Sequence, residues 1–339
     1  MAIVIQEHVP LSEHTTLKTG GVARYMVEVR SLEDLRAVAD LITKENLSYL
    51  VLGAGSNIFA GEAGFSGVVI KMMNEGVAYA ENETGEVAVK VAAGEWLDGV
   101  IETTIAADIF GLENLSAIPG SVGATPVQNV GAYGVEVKDL ISSVEVFHLP
   151  TKTVREFSNA ECEFGYRDSF FKTKVGGEYI IFAVNFLLSK KFTAKISYTD
   201  LAKRFTNELP SAQGVREALF EIRGNKFPDW KVLGTAGSFF KNPIISRGHG
   251  GALRAQYKDL PLYDVDADRV KVSLGFILDK VCNLKGFRVG AVGLYQEQAL
   301  VLVNYGGATA DEITAFVEEV KSRVFSATGI MIEPEVKFV

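Results

Sequence analysis

The chain has 339 residues, of which 47% are hydrophobic, and a formal net charge of −8 at pH 7. This length predicts two or three domains, and the acidic balance argues against general binding of nucleic acid or of an anionic membrane surface. The two cysteines, Cys162 and Cys282, and the four scattered histidines form no metal-ligand spacing and no disulfide framework, which indicates a reducing compartment.

The sequence predicts no secretory signal peptide and no membrane-spanning segment. The first residues, MAIVIQEHVPLSEH, lack the basic and long apolar regions of a secretory signal peptide. The longest apolar run, near Tyr179 to Leu188, is interrupted by Asn185 and is too short to span a bilayer. We therefore expect a cytoplasmic protein that makes no membrane contact.

Predicted strands and helices follow one another through the first part of the chain. The sequence SLED, residues 31–34, has the pattern of a capping box, and Leu35, Val38 and Leu41 then fall near one face of a helix. The pattern then predicts strands near 49–53, 67–72 and 87–92, a helix over 95–107, a hairpin of strands 143–148 and 152–157, and a strand over 179–188.

A change in composition predicts a domain boundary near 210–225. The following pattern indicates helices over 215–223, 268–282 and 310–326, the last opened by a second capping box, TADE, and strands over 298–304 and 331–338. The strands come in clusters rather than in strict βαβ alternation, so the predicted class is α+β.

The stretch PGSVGATPVQNVGAYG, residues 119–134, contains four glycines and no charged residue. Glycine lets a backbone approach a ligand closely, and successive N–H groups in such a loop form a donor surface suited to phosphates. The alternative is a long structural loop packed between sheets.

A second glycine cluster is GAGSN, residues 53–57. It begins like the dinucleotide fingerprint G-x-G-x-x-G, but Ile58 stands where the third glycine belongs and no helix pattern follows. The sequence therefore favours phosphate contact by loop amides and by Ser56 and Asn57, without a Rossmann helix. An ordinary turn between strands is the alternative.

Three polar clusters lie outside the glycine loops. In FGYRDSFFK, Arg167 is either an anion clamp among aromatic residues or the partner of Asp168 in a structural ion pair. In GTAGSFFKNP, Ser238 is either a polarised acid or nucleophile or a turn residue. In IEPEVKF, strand alternation would point Glu333 and Glu335 to one face, where a desolvated carboxylate could be catalytic. An exposed strand edge is the alternative there.

Taken together, five segments resemble the UDP-N-acetylenolpyruvoylglucosamine reductase family, FAD enzymes of bacterial peptidoglycan precursor synthesis. They are GAGSN (53–57), IPGSVGATPVQNVGAYG (118–134), YRDS (166–169), GSFFKNP (237–243) and EPEV (333–336). The resemblance covers nearly the whole chain, with the segments in the family's order.

This resemblance implies a two-subdomain FAD-binding fold that is not a Rossmann fold but of the PCMH type, followed by a C-terminal α+β substrate domain. We expect the FAD-binding region over residues 1–215, split near 70–75, and the substrate domain over 216–339. The flavin contacts that the resemblance implies are Gly53, Gly55, Ser56, Asn57, Pro119, Gly120, Gly123, Ala124, Gln128 and Gly131.

The resemblance also implies the reaction. NADPH would reduce FAD, leave, and be replaced by UDP-N-acetylglucosamine enolpyruvate, which is reduced to UDP-N-acetylmuramate. Ser238 would donate the proton, with Lys241 as a hypothetical stabiliser of its alkoxide, while Arg167 and Glu335 stabilise the enolate. Glu335 would do so only if protonated or held as an oriented hydrogen-bond partner. The residues implied for nucleotide and substrate binding are Tyr198, Lys226, Asn242 and Gln298.

Two other functions remain open at this point. Another FAD oxidoreductase of the same flavin fold would act on an alcohol or hydroxy acid, although GSFFKNP and EPEV argue against it. A non-catalytic flavin- or nucleotide-binding module would bind ligand without turnover. A purely structural protein leaves the charge-poor glycine loops without a task. We expect a monomer with no nucleic-acid partner.

Overall fold

The computed structural model describes residues 3–83, 85–206 and 208–339. The chain forms two compact units, each assembled from separate segments. The first contains the residues up to Val9 together with Ala23–Ala54 and Phe65–Arg223, and the second contains Pro10–Val22, Gly55–Gly64 and Gly224–Val339. The domain boundary that we predicted after residue 215 lies inside a helix, Ala212–Lys226.

The described residues form twenty strands. They are β1 (Ile5–Pro10), β2 (Val22–Val29), β3 (Tyr49–Leu52), β4 (Ile58–Phe59), β5 (Phe65–Met72), β6 (Val77–Glu81), β7 (Glu86–Ala92), β8 (Gly131–Ala132), β9 (Val135–Glu136), β10 (Ile141–His148), β11 (Thr153–Ser158), β12 (Tyr179–Ser189), β13 (Gly234–Ser238), β14 (Ile244–Ser246), β15 (Leu262–Asp264), β16 (Arg269–Val272), β17 (Arg288–Val289), β18 (Val292–Leu294), β19 (Val301–Asn304) and β20 (Lys337–Phe338).

Seven α-helices accompany these strands in the same residues. They are α1 (Leu32–Glu45), α2 (Leu97–Ala106), α3 (Thr199–Arg204), α4 (Ala212–Lys226), α5 (Arg247–Gln256), α6 (Leu274–Phe276), which continues as a π-helical turn over Ile277–Val281, and α7 (Ala310–Thr328). None of the helices in the described ranges is long and apolar enough to cross a membrane.

The first unit is built on two sheets. One has the order β1-β2-β5-β3, and its β2, β5 and β3 strands run parallel. The other is antiparallel and has the order β11-β10-β12-β7-β6. The two sheets follow each other along the chain, since the first ends at Met72 and the second begins at Val77.

Helix α1 forms where its capping box and apolar pattern predicted a helix. Ser31 accepts a hydrogen bond from the backbone of Asp34, whose side chain accepts from Ser31 in return, so the predicted capping box is confirmed. Its Leu35 and Val38 are buried against the unit's core. The helix stops at Asn46, which adopts the left-handed conformation typical of a helix end.

The second unit combines two antiparallel sheets, ordered β13-β19-β18-β17 and β14-β16-β15, with the parallel pair of β4 and β20. Its core contains not only the C-terminal residues but also Leu17 and Phe59 from the two early segments. Strands in clusters and separate helices confirm the predicted α+β class.

Two predicted elements of this unit are wrong. The helix predicted over 268–282 begins with strand β16, because Val270 and Val272 alternate into the core, and helical structure starts only after Ser273 caps Leu274–Phe276. The strand predicted over 331–338 is reduced to Lys337–Phe338. Pro334 has no N–H to donate and forms only an isolated bridge.

Candidate active site

The glycine loop lies along the start of helix α2 in the first unit. Val122 and Gly123 donate backbone hydrogen bonds to Glu95 and Ala93, at 2.8 and 2.9 Å. A Cβ atom on Gly123 would lie 2.5 Å from the Cβ of Ala93, so only glycine permits this approach.

We expected the loop to offer its backbone amides to phosphates. Three of these amides are already used, because the N–H groups of Val122, Gly123 and Ala124 donate to backbone carbonyls. Within the described chain, the amides of Gly120 and Ser121 donate to no backbone carbonyl, and both residues are buried. A buried amide needs an acceptor, and a phosphate oxygen would provide one. Pro119 and Gln128 are half-buried and Ala124 is exposed.

The GAGSN turn approaches the same loop through Gly53. A Cβ atom there would lie 2.3 Å from the Oγ of Ser121 and 3.6 Å from the Cβ of Ala124. No helix follows the turn, as predicted, since β4 begins at Ile58. The first unit therefore presents a cradle of two closely packed glycine segments with buried amide donors, which fits the diphosphate of a dinucleotide cofactor.

The rest of the turn belongs to the second unit. Gly55 has a φ of +68°, and a Cβ atom there would lie 2.0 Å from the carbonyl oxygen of His14. Ser56 and Asn57 are half-buried. The Nδ2 of Asn57 donates to the backbone oxygen of Glu335 at 3.3 Å, and its own carbonyl accepts from the N–H of Lys337 at 3.0 Å. Asn57 thus holds the backbone at Glu335.

Arg167 reaches the far end of the glycine loop. It is half-buried, its φ is +54°, and its Nη2 donates to the carbonyl oxygen of Gly131 at 2.7 Å. Its guanidinium also attracts the carboxylate of Glu136, which accepts from Lys138 and Asn129.

Burial of Glu136 favours its neutral form. Hydrogen bonds from Lys138 and Asn129 and the charges of Lys138 and Arg167 outweigh that effect and lower its pKa. The carboxylate is therefore ionised beside Arg167.

Ser238 and Glu335 lie on neighbouring backbones of the second unit. The N–H of Glu335 donates to the carbonyl oxygen of Phe239 at 2.8 Å, and the N–H of Lys241 donates to that of Glu333 at 3.0 Å. Gly237, with a φ of +75°, and a shift in the pairing of β13 with β19 turn the chain at Ser238.

The side chains around this pair differ in exposure. Phe239, directly after Ser238, is fully buried and anchors the segment, while Ser238 and Glu335 are half-buried. The Nζ of Lys241 lies 3.9 Å from a carboxylate oxygen of the exposed Glu333. The hypothetical role of Lys241 beside Ser238 stays a prediction.

Two of the residues predicted to bind the nucleotide each lie near the start of α6. The Oδ1 of Asn242 accepts from the N–H of Leu274 at 2.9 Å, which leaves its Nδ2 as the donor that it could offer an anion. A Cβ atom on Gly275 would lie 3.3 Å from the Oε1 of Gln298.

The other two residues predicted to bind the nucleotide lie elsewhere. Lys226 is the last residue of α4 and half-buried. Tyr198 is exposed, and its ring meets that of Tyr133 edge-on at 5.2 Å between centroids. The segment before Tyr198 borders a surface cavity of about 520 Å³, lined by Gly134, Ala194, Lys195, Ile196, Ser197, Ala202 and Phe205.

In the described ranges, no group of three or more His, Cys, Asp or Glu residues could hold a metal ion. Burial raises the pKa of the Cys162 thiol to about 12 and also raises that of Cys282. Neither thiol is therefore activated as a thiolate nucleophile.

Sequence reasoning placed Asn129 in the middle of the glycine loop but assigned it no role, although its side chain holds the loop to neighbouring segments. It is buried with a φ of +45°, and its amide donates to Glu136 and to the carbonyl of Gly165 while its Oδ1 accepts from Lys138. Its position in the middle of a glycine loop was the available signal, because asparagine tolerates positive φ.

Comparison with known families divides the chain in the same order as the motifs. Residues 23–158 match the model of an FAD binding domain, and residues 229–339 match that of the UDP-N-acetylenolpyruvoylglucosamine reductase C-terminal domain.

Whole-length relatives agree with these matches. The chain is 41% identical over 333 residues to the UDP-N-acetylenolpyruvoylglucosamine reductase of Bdellovibrio bacteriovorus, which covers 98% of both chains, and 37% identical to that of Pseudomonas aeruginosa, which covers 99% of both. The crystal structure of UDP-N-acetylenolpyruvylglucosamine reductase from Thermus caldophilus covers 99% of both chains, with 25% identity and a TM-score of 0.71. The chain therefore belongs to the UDP-N-acetylenolpyruvoylglucosamine reductase family and is an FAD-dependent oxidoreductase.

Proposed function

We propose that this chain reduces UDP-N-acetylglucosamine enolpyruvate to UDP-N-acetylmuramate with NADPH, as a step in peptidoglycan precursor synthesis in the cytoplasm. The observation that carries the proposal is the hydrogen bond from the Glu335 N–H to the Phe239 carbonyl, which aligns the Ser238 and Glu335 segments. A half-buried hydroxyl and a half-buried carboxyl on neighbouring backbones suit the protonation of a substrate carbanion.

The glycine segments of the first unit would hold the cofactor. Gly53 and Gly123 give the backbone its close approach, and the buried amides of Gly120 and Ser121 would donate to the diphosphate. Gln128, Gly131, Pro119 and Ala124 complete the proposed contacts of this unit. Gly55, Ser56 and Asn57 are the further flavin contacts that the family resemblance implies. When bound, FAD would accept hydride from NADPH and deliver hydride to the vinyl carbon of the enolpyruvyl group.

Ser238 would protonate the carbon next to the carboxylate of the substrate. A serine hydroxyl is a weak acid, so it depends on a rigid position and on nearby charge. Burial of Phe239 and Phe240 fixes the backbone after Ser238.

Arg167 and Glu335 would stabilise the enolate. The planar guanidinium of Arg167 matches a carboxylate. The Gly131 carbonyl and the ionised Glu136 restrict where that guanidinium can point. Glu335 would contribute as a protonated acid or as an oriented hydrogen-bond partner.

The remaining proposed residues would bind the nucleotide. Asn242 would offer its Nδ2 and Lys226 its positive charge to the diphosphate. Gln298, which also lies near the start of α6, would contribute its amide. Tyr198 and the cavity before it would accept the more distant part of the ligand.

The first test is NADPH oxidation by the purified, FAD-loaded protein with and without UDP-N-acetylglucosamine enolpyruvate. We expect oxidation that depends on this substrate and forms UDP-N-acetylmuramate. A yellow protein that oxidises NADPH no faster with the substrate would favour an oxidoreductase acting on another substrate, and ligand binding without any turnover would favour a binding module.

The Ser238→Ala variant tests the proton donor. We expect NADPH to reduce the bound flavin at the parent rate while product formation falls by about 10²- to 10⁴-fold, the usual contribution of a general acid. Ser246→Ala is a matched control: that side chain caps helix α5 by accepting from the N–H of His249. The control is expected to lose about 1 kcal/mol of stability and to keep its turnover. Unchanged turnover in Ser238→Ala would refute the role of Ser238.

A further inference from the structure

One residue at the entry to the glycine loop has an unusual backbone conformation. Ala117 has a φ of +61° and immediately precedes Ile118 and Pro119. The left-handed region is unfavourable for a residue with a Cβ atom. Something outside the loop must therefore hold this conformation.

Two side chains from distant helices hold both peptide groups of Ala117. Its N–H donates to the Oδ1 of Asp98, in the first turn of α2, at 2.7 Å. Its carbonyl oxygen accepts from the Nε of Arg223, near the end of α4, at 3.0 Å.

Helix α4 also fixes the carboxylate of Asp98. Arg216 donates to its two oxygens at 2.6 and 2.9 Å, as a bidentate pair. The Arg216 residue is 7% exposed, and a second carboxylate, that of Glu102, lies 3.4 Å away. Arg216 and Arg223 are seven residues apart, which places them on one face of α4.

Arg223 reaches the other end of the glycine loop as well. Its guanidinium donates a hydrogen bond to the side-chain oxygen of Tyr133, whose φ is +49°. The carbonyl of Tyr133 accepts from the amide of Asn114 at 2.9 Å. One arginine thus joins the entry and the exit of the loop.

We propose that Asp98, Arg216 and Arg223 are positioning residues that hold the glycine loop in the conformation that binds FAD. Helix α4 acts on Ala117 through Asp98 on one side and directly through Arg223 on the other. The inference rests on the proposed assignment of this loop to FAD, and it requires none of the three side chains to touch the cofactor.

The test is FAD affinity, measured by fluorescence titration of the cofactor-free chain. Asp98→Ala alone would leave Arg216 as a buried unpaired charge, so the variant is Asp98→Ala with Arg216→Leu. We expect its FAD dissociation constant to rise roughly tenfold, because the left-handed conformation of Ala117 loses its support. Adding Ala117→Gly should recover most of the affinity, since glycine adopts positive φ freely.

Arg223→Met gives a second, independent variant. It removes the other support of Ala117 and is expected to show the same loss and the same recovery with Ala117→Gly. Glu145→Ala is the control: it breaks the surface pair with Lys90, at 2.7 Å, and should leave FAD affinity unchanged.

A merely structural ion pair would lower the urea midpoint of the apoprotein without any recovery of FAD affinity by Ala117→Gly. Unchanged affinity in both variants, or no recovery with glycine, would overturn the inference. A parent chain that binds FAD but reduces no enolpyruvyl nucleotide would refute the proposed reaction alone. A parent chain that binds no FAD would refute the cofactor assignment and the inference together.

Discussion

Several residues around the proposed cofactor loop have positive φ although they are not glycine. Ala117, Asn129, Tyr133 and Arg167 have values of +61°, +45°, +49° and +54°. Such conformations persist only where neighbouring groups hold them, and each of these residues is tied by a hydrogen bond to its side chain or its backbone. These four residues lie in or next to the proposed cofactor loop, whose backbone they would hold in a fixed shape.

The sequence identified only some of the residues that shape the proposed cofactor loop. Compact motifs made it possible to select Gly53, Gly123 and Arg167 as candidates. Asp98 and Asn129 could not be given their roles, since each acts on a backbone group distant in sequence: Asp98 bonds a residue 19 positions away and Asn129 one 36 positions away. No local pattern encodes those partners.

Glu136 gives a pH prediction at this scale. Because its folded pKa lies below the ordinary value of 4.5, it stabilises the fold above that value, and the contribution disappears as the pH falls through the lowered pKa. We expect Glu136→Gln to be less stable than the parent at pH 7, with a difference that shrinks below about pH 4. Urea unfolding of parent and variant at pH 7 and at about pH 3 measures this difference in stability.

The control for this measurement is Glu81→Gln, at an exposed position of β6. It is expected to change stability by less than about 0.5 kcal/mol at either pH. A loss in Glu136→Gln that is equally large at pH 7 and at pH 3 would contradict the assigned ionisation.

Among the elements, those with complete local signals formed as predicted. Helices α1 and α7 both open with a capping box, and the hairpin of β10 and β11 forms around its predicted turn. Strand β16 was missed because its apolar residues also fit a helical repeat, and because its pairing with β14 joins residues that are far apart in sequence, such as Ile244 and Lys271. Short apolar runs are ambiguous in this way.

Helix α7 allows a test of N-terminal capping. Thr309 accepts from the N–H of Glu312, and the N–H of Ala310 donates to the carboxylate of Glu62 at 2.7 Å. We expect Thr309→Ala to lower the free energy of unfolding by about 1 kcal/mol, because an N–H group of the first turn loses its acceptor.

The matched control is Thr314→Ala, inside the same helix, where the Oγ1 donates back to the carbonyl of Ala310. Alanine has the higher helix propensity, so this variant should be as stable as the parent or slightly more stable. Equal losses from both threonines, measured by urea unfolding, would argue against a specific capping effect.

At the scale of the whole molecule, the position of a segment in the sequence does not decide which of the two units it belongs to. The second unit takes Pro10–Val22 and Gly55–Gly64 from the N-terminal part of the chain. A composition shift could indicate a change near 210–225, but it could not show that these early segments join the later unit. Their contacts depend on three-dimensional complementarity: a Cβ atom on Gly234, for example, would lie 2.5 Å from the carbonyl oxygen of Leu17.

The two early segments contribute core packing and hydrogen bonds to the second unit. Leu17 and Phe59 are 0% and 3% exposed in the core of the second unit. The Oγ1 of Thr16 donates to the carbonyl of Thr235 at 2.6 Å, and the N–H of Lys337 donates to that of Asn57 at 3.0 Å. A fragment that starts at Gly224 loses all of these.

We therefore expect the fragment 224–339 not to fold cooperatively. Truncating a buried leucine costs about 2–5 kcal/mol and a buried phenylalanine about 3–5 kcal/mol, and their sum approaches the total stability of a typical domain, about 5–15 kcal/mol. Near-UV circular dichroism and urea unfolding of the fragment measure this. In the full-length chain, Leu17→Ala should lower stability by about 2–5 kcal/mol. A cooperative unfolding transition of the fragment, with native near-UV ellipticity, would show that the early segments are dispensable for this unit.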